Sequence, residues 1–174
     1  YQSSKSTVQS SSPNSVWVSD FTYIRVNGIF HYLCVVIDLF SRKVIGWSLS
    51  KHHDVNLTLQ AFQKAYSARD KPNYLLFHSD QGSEYTAFAF RQALESCNTV
   101  QSFSRKGYPY DNAVAKAFPS YETRMYYRKS FRSLDELRLC CFEYINRYNS
   151  KRPHRAVGDY TPNEVEELYM QRLV

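Results

Sequence analysis

The chain has 174 residues, a formal charge of +6 from 22 Lys and Arg against 16 Asp and Glu, and 43% hydrophobic and 16% aromatic residues, enough for one domain with a core and too apolar for wholesale disorder. No run of eighteen apolar residues spans a bilayer, and the N-terminus lacks the order of a secretory signal. The four cysteines form no C-x-x-C pair and the five histidines complete no zinc spacing, which predicts reduced thiols in a cytoplasmic protein.

Residues 1–15, with seven serines, read as a flexible linker ahead of a single folded unit over 16–174. Val16 to Val26 alternates as a strand, with Val16, Val18, Asp20, Thr22, Ile24 and Val26 on one face and Trp17, Ser19, Phe21 and Tyr23 on the other. Asn27-Gly28 signals a hairpin into a second strand, Ile29 to Leu39. The turn Asp38 to Arg42 leads to a third strand, about Lys43 to Ser50. Asp54 can cap a helix with Leu57, Ala61, Ala65 and Ala68 at helical spacing, ending near Asp70. Tyr74 to Phe77 is a short apolar strand, Gln81-Gly82 a turn, Thr86 to Ser96 a helix with Phe90 and Leu94 inward, and Thr99 to Phe103 a last strand. From Asp111 the chain reads as mainly helical. Ser133 to Tyr148 carries a stripe of Leu134, Leu137, Cys141, Tyr144 and Ile145, and Thr161-Pro162 opens a final helix. This order predicts an α/β fold with a mixed five-stranded sheet, three antiparallel strands then two parallel, flanked by helices.

Two carboxylates stand out. Asp20 shares a strand face with Val16, Val18, Ile24 and Val26, where a carboxylate is costly unless paired or bound to a cation. Asp80 follows a strand at the carboxyl edge, where open α/β sheets place their ligands. Taken singly, each has a stronger plain reading: a satisfied strand residue for Asp20, an Asx turn for Asp80. Converging from adjacent strands, they would form a divalent-cation site.

Five stretches then resemble one family: Trp17-Val-Ser-Asp-Phe-Thr-Tyr23, Asp38-Leu-Phe-Ser-Arg-Lys-Val-Ile-Gly-Trp47, His78-Ser-Asp-Gln-Gly-Ser-Glu-Tyr85, Ser104-Arg-Lys-Gly-Tyr-Pro-Tyr-Asp-Asn-Ala113 and Tyr148-Asn-Ser-Lys-Arg-Pro-His154. Together they resemble the integrase-core (DDE) transposases of the third bacterial insertion-sequence family, relatives of retroviral integrase, over about Val16 to Glu167. The resemblance implies a ribonuclease H-like fold, a two-ion site for Mg2+ or Mn2+, and cleavage and joining of DNA strands. It also implies assembly as a homo-oligomer on DNA, in the bacterial cytoplasm beside the nucleoid and with no membrane partner.

In that family two aspartates and a glutamate hold the metals, with thirty-five residues between the second and third acids. Thirty-five residues separate Asp80 from Lys116, which therefore holds the third position. The family's Asp-Asn-Ala-x-Ala-Glu stands here as Asp111-Asn-Ala-Val-Ala-Lys116, intact up to the residue that should be acidic. An ammonium there removes a negative ligand and adds positive charge beside a cation, so activity is expected to be impaired. Lys116 could instead pair with Asp20 or Asp80 and stand in for the missing ion. Glu122 lies on another helix face, and Glu84 shares the Asp80 turn without any requirement that it substitute. Pro119 would kink or stop the helix near Phe118.

The positive charge is local. Ser104 to Arg132 holds seven basic and two acidic side chains, and Arg147, Lys151, Arg152 and Arg155 form a second cluster. Arg105 and Lys106, Asn112, and Lys151, Arg152, His154 and Arg155 are the candidate DNA contacts, with Tyr108 and Tyr110 as stacking partners for splayed bases. Solvated loops and a proline-stiffened turn explain the same residues about equally well. Two other readings remain: a catalytically silent DNA-binding or oligomerisation domain, which Lys116 supports, and a tyrosine recombinase, which the five stretches oppose.

Overall fold

The computed structural model describes residues 8–104 and 131–173. Five strands, β1 (Val16–Val26), β2 (Ile29–Asp38), β3 (Val44–Ser50), β4 (Leu75–Ser79) and β5 (Thr99–Phe103), form one sheet in the order β3-β2-β1-β4-β5. The first three are antiparallel, and β4 and β5 run parallel to β1, as expected. The β1–β2 hairpin closes on Asn27 and Gly28, whose φ values of 49° and +80° are those of a two-residue type I′ turn.

Helices cover both faces. On one side, α1 (Val55–Ala68), α2 (Ser83–Thr86) and α3 (Phe88–Ser96) enclose Trp17, Phe62, Phe77, Tyr85 and Phe90. On the other, α4 (Leu134–Lys151) packs Leu137, Cys141, Ile145 and Tyr148 against Val16, Val18, Ile24, Leu33 and Val35. Each fully buried side chain of this size contributes about 1.5–3 kcal/mol. The β1 alternation therefore does not separate core from solvent, because Trp17 and Ser19 are as buried as Val16 and Val18. A 3-10 turn (Arg155–Val157) and α5 (Pro162–Gln171) complete the described chain.

Asp54 caps α1 by accepting from the backbone N–H groups of Asn56 and Leu57, at 3.1 and 3.3 Å. The helix expected over Thr86 to Ser96 begins at Phe88, and a separate short helix, α2, precedes it where only a turn was expected. The Gly82 carbonyl accepts from both the Thr86 N–H at 3.0 Å and Thr86 Oγ1 at 3.1 Å, and Ala87 is extended (ψ 141°) before α3 begins. Ala68, expected on the apolar stripe of α1, is exposed, while Phe62 is buried there instead.

Within the serine-rich segment, Val8 packs against the α4-side core and the Asn14 N–H donates to Asp38 Oδ2 at 2.7 Å. Lys116, Arg105, Lys106, Asn112, Tyr108, Tyr110, Pro119 and Glu122 lie outside the described residues.

Candidate active site

The parallel pairing of β1 with β4 sets the site. Val16, Trp17 and Val18 stand opposite Leu76, Phe77 and His78, so Asp20 and Asp80 each lie two residues past the last paired couple, at the same height on adjacent strands. Asp20 Oδ1 accepts from the Phe21 N–H at 2.9 Å. Asp80 Oδ1 accepts from the Gly82 N–H at 3.0 Å, an Asx turn that fixes the carboxylate where β4 ends. Both residues are partly exposed and lie past the last paired couple of the parallel strands, at their carboxyl edge.

Glycine at 82 keeps that edge open. A Cβ there would stand 2.7 Å from Oε2 of Glu84 and 3.0 Å from Oδ1 of Asp80. Hard carboxylate oxygens beside an uncluttered turn suit a small divalent cation. Among the described residues no third His, Cys, Asp or Glu joins the pair closely enough to complete a metal cage.

The segment after β5 is anchored beside Asp80. Ser104 N–H donates to the Ser79 carbonyl at 2.8 Å, Gln81 Nε2 donates to the Ser104 carbonyl at 3.3 Å, and the buried His78 ring contacts Ser102 Oγ at 3.0 Å and Ser104 Oγ at 3.1 Å. The chain that leads on to Lys116 thus departs from a fixed point next to the aspartates.

Two supporting arrangements were not read from the sequence. Glu84, buried in α2, pairs through Oε1 with His53 Nδ1 at 2.8 Å, and the His53 ring packs on Phe21 and Tyr32 at 4.6 and 4.9 Å. Their only signal was the adjacent His52-His53 pair and the Glu in the Asp80 motif. Below them, Tyr85 Oη and Ser19 Oγ are 2.8 Å apart, with Ser19 donating to the Val35 carbonyl at 2.9 Å. Burial raises the Tyr85 hydroxyl well above its usual range and pushes the Cys34 thiol up to about 12, so both stay protonated and structural.

The Lys151–Arg155 segment sits elsewhere, by the β2–β3 turn at the amino end of β1. His154 pairs with Tyr160 by a backbone bridge and meets the Tyr148 ring edge-on at 4.6 Å. The Arg152 guanidinium lies over Tyr148 at 5.7 Å. Lys151 and Arg155 are exposed. The structure does not bring these four residues to the aspartate pair.

Integrase core domain models match residues 10–109 and 98–162. The chain belongs to the integrase core family, among the DDE transposases related to retroviral integrase. It is 32% identical over 158 residues to a transposase for insertion sequence element IS629 of Shigella sonnei, covering 90% of this chain and 53% of the relative. It is 35% identical over 161 residues to the transposase for IS904 of Lactococcus lactis (91% and 64%), and 37% over 158 to transposase InsF for IS3A of Escherichia coli K12 (90% and 55%). The chain spans roughly half to two thirds of these transposases.

The fold is that of integrase and transposase catalytic cores. It matches a chain of the simian T-cell lymphotropic virus intasome, solved in complex with PP2A regulatory subunit B56 gamma, with a TM-score of 0.71 at 15% identity, over 89% of this chain and 55% of that one. The HTLV-2 integrase catalytic core domain, solved in complex with magnesium as a dimeric form, matches with a TM-score of 0.64 at 20% identity over 89% and 96%. The Mos1 transposase catalytic domain, solved with Raltegravir and Mg, matches with a TM-score of 0.65 at 19% over 76% and 71%. The ribonuclease H-like core of this integrase-family chain is therefore the expected mixed sheet. Among its described residues no helix is long and apolar enough to cross a membrane.

Proposed function

We propose that this chain is the catalytic core of an insertion-sequence transposase, acting on DNA as a homo-oligomer beside the nucleoid, and that Lys116 impairs its chemistry. The observation that carries the reading is the equal height of Asp20 and Asp80 on adjacent parallel strands of an integrase fold. Asp20 and Asp80 would hold Mg2+ or Mn2+, which when bound stabilises the attacking and leaving oxygens of an in-line phosphoryl transfer. The Asx turn and the Phe21 and Gly82 amides orient the two carboxylates, and glycine at 82 keeps a side chain out of their space.

Lys116 stands where the family has its glutamate. A third carboxylate there would complete the ligand set. An ammonium withholds a ligand and repels the cation, or pairs with Asp20 or Asp80 in the cation's place. Arg105, Lys106 and Asn112 would hold DNA phosphates near the site. Lys151, Arg152, His154 and Arg155, at the other end of β1, would meet the strand farther along.

Lys116 also favours a second reading, a silent DNA-binding domain of transposase descent. Calorimetric titration with Mn2+ separates the two. The first reading expects weak binding by the unmodified chain, clear binding by Lys116→Glu, and loss of that gain when Asp80→Asn is added. If neither the unmodified chain nor Lys116→Glu binds Mn2+, the aspartate pair is not a metal site in this chain.

A further inference from the structure

We propose that the open face of the β1–β2 hairpin is a stacking platform for unpaired nucleotides of the DNA strand that enters the Asp20–Asp80 edge. The proposal rests on the reading of this chain as acting on DNA, and it assigns a surface that the reading leaves empty.

The platform is already assembled. Tyr23 and Arg25 on β1 stand opposite Tyr32 and Phe30 on β2. Tyr23 is 64% exposed and Phe30 47%, yet their rings pack edge to face at 5.6 Å, and the Arg25 guanidinium lies over the Phe30 ring at 5.7 Å. The neighbouring rings continue inward through Tyr32 and His53 to Phe21, the residue after Asp20. Tyr23 and Asp20 are three residues apart, about 10 Å at about 3.3 Å per residue, and so on opposite faces of β1; two or three nucleotides span that distance by crossing the edge of β1 past Val18, where its pairing with β4 ends.

The charge around the rings selects the partner. No acidic residue occurs between Asp20 and Asp38, Arg25 lies among the rings, and the exposed Lys51-His52 follows Ser50, which pairs with Tyr32. Asn27 Nδ2 donates to the Arg132 carbonyl at 3.2 Å and holds the hairpin tip beside the start of α4. Exposed aromatic faces with a stacked guanidinium and a cationic border suit bases joined by phosphates. Bases stacked within a duplex offer no free face, so the occupant is unpaired.

The test is fluorescence anisotropy at one fixed salt concentration, with a labelled oligothymidine of about 12 nucleotides and a blunt duplex as probes. Tyr23→Ala and Phe30→Ala should each weaken single-strand binding by about tenfold while leaving duplex affinity and the melting temperature unchanged. Tyr23→Phe, which keeps the ring, should bind like the parent. Unchanged single-strand affinity in both alanine variants, or equal losses on both probes, overturns the platform while the DNA reading stands. Self-association abolished by the alanine variants, with single-strand affinity intact, would assign the face to a second copy of the chain. No binding of either probe by the unmodified chain overturns the DNA reading and the platform together.

Discussion

Arg69, the residue that ends α1, donates to both carboxylate oxygens of Glu166 on α5, 97 residues away in sequence. Arg69 Nη2 also donates to Asp38 Oδ2 at 3.1 Å, and Lys43 Nζ reaches Glu166 Oε2 at 3.0 Å. This cluster joins α1, the β2–β3 turn, the Asn14 backbone and the last helix. Asp38 is fully buried, so Arg69→Met should cost about 3–5 kcal/mol by leaving that carboxylate without its cation. Urea denaturation at neutral pH measures the loss.

The same cluster sets an acid response. Burial pushes the Glu166 carboxyl up, but Arg69 and Lys43 outweigh it and hold it below its usual value. Its contribution is present above the unfolded value of about 4.3 and is lost as pH falls through the lower folded value. For Asp38, burial outweighs the Asn14 N–H and Arg69 and raises the carboxyl, so its contribution runs the other way. Glu166→Gln should cost about 1–3 kcal/mol at pH 7, and the gap from the parent should close as pH falls below about 4. A gap that is constant with pH would contradict this.

His154 gives a second pH signature. Burial, then Arg152 and Arg42, lowers its pKa from 6.5 to about 4, and its Nε2 is buried without a hydrogen-bond partner. A histidine with a depressed folded value contributes stability above its unfolded pKa and loses it as pH falls through the folded one. Stability should therefore decline between about pH 6.5 and 4. Because the ring is only about half-buried and solvent screens it, the decline attributable to His154 is on the order of 1 kcal/mol. His154→Gln should flatten that part of the curve, and an imidazole titration by NMR should place the midpoint near 4.

Gly46 marks the closest approach of α1 to the sheet. A Cβ there would meet the Ala61 carbonyl oxygen at 2.5 Å and the Ala65 backbone nitrogen at 2.7 Å. Neither is a flexible side-chain end, so Gly46→Ala should destabilise the fold by about 1–3 kcal/mol, read as a lower melting temperature.

Gly82→Ala should separate function from stability. The backbone at Gly82 (φ −58°, ψ 151°) suits alanine, but the added Cβ would crowd Glu84 and Asp80. In the Lys116→Glu background it should weaken Mn2+ binding about tenfold or more while leaving the melting temperature nearly unchanged, by displacing Asp80 from its productive position.

The local parts of the fold were legible because their causes are local. Alternation bounded β1, Asn27-Gly28 fixed the hairpin, and the Asp54 and Thr161 caps opened helices that the structure confirms, the second with a full capping box. The break at Ala87 was not legible, since alanine is a strong helix former and one extended residue leaves no trace in apolar periodicity. Nor was the second buried face of β1, because Trp17 and Phe77 meet only once parallel pairing places β4 beside β1. For the candidate site, the sequence named Asp20 and Asp80, and pairing brought them level. His53–Glu84 and Arg69–Glu166 stayed hidden because each joins segments whose proximity depends on the finished fold.

The central claim is that the aspartate pair needs a carboxylate where Lys116 now stands. The most direct measurement is Mn2+-dependent strand transfer by Lys116→Glu beside the unmodified chain, on the same DNA substrate. The account predicts activity in Lys116→Glu and little in the unmodified chain. Full activity with Lys116 in place would contradict it.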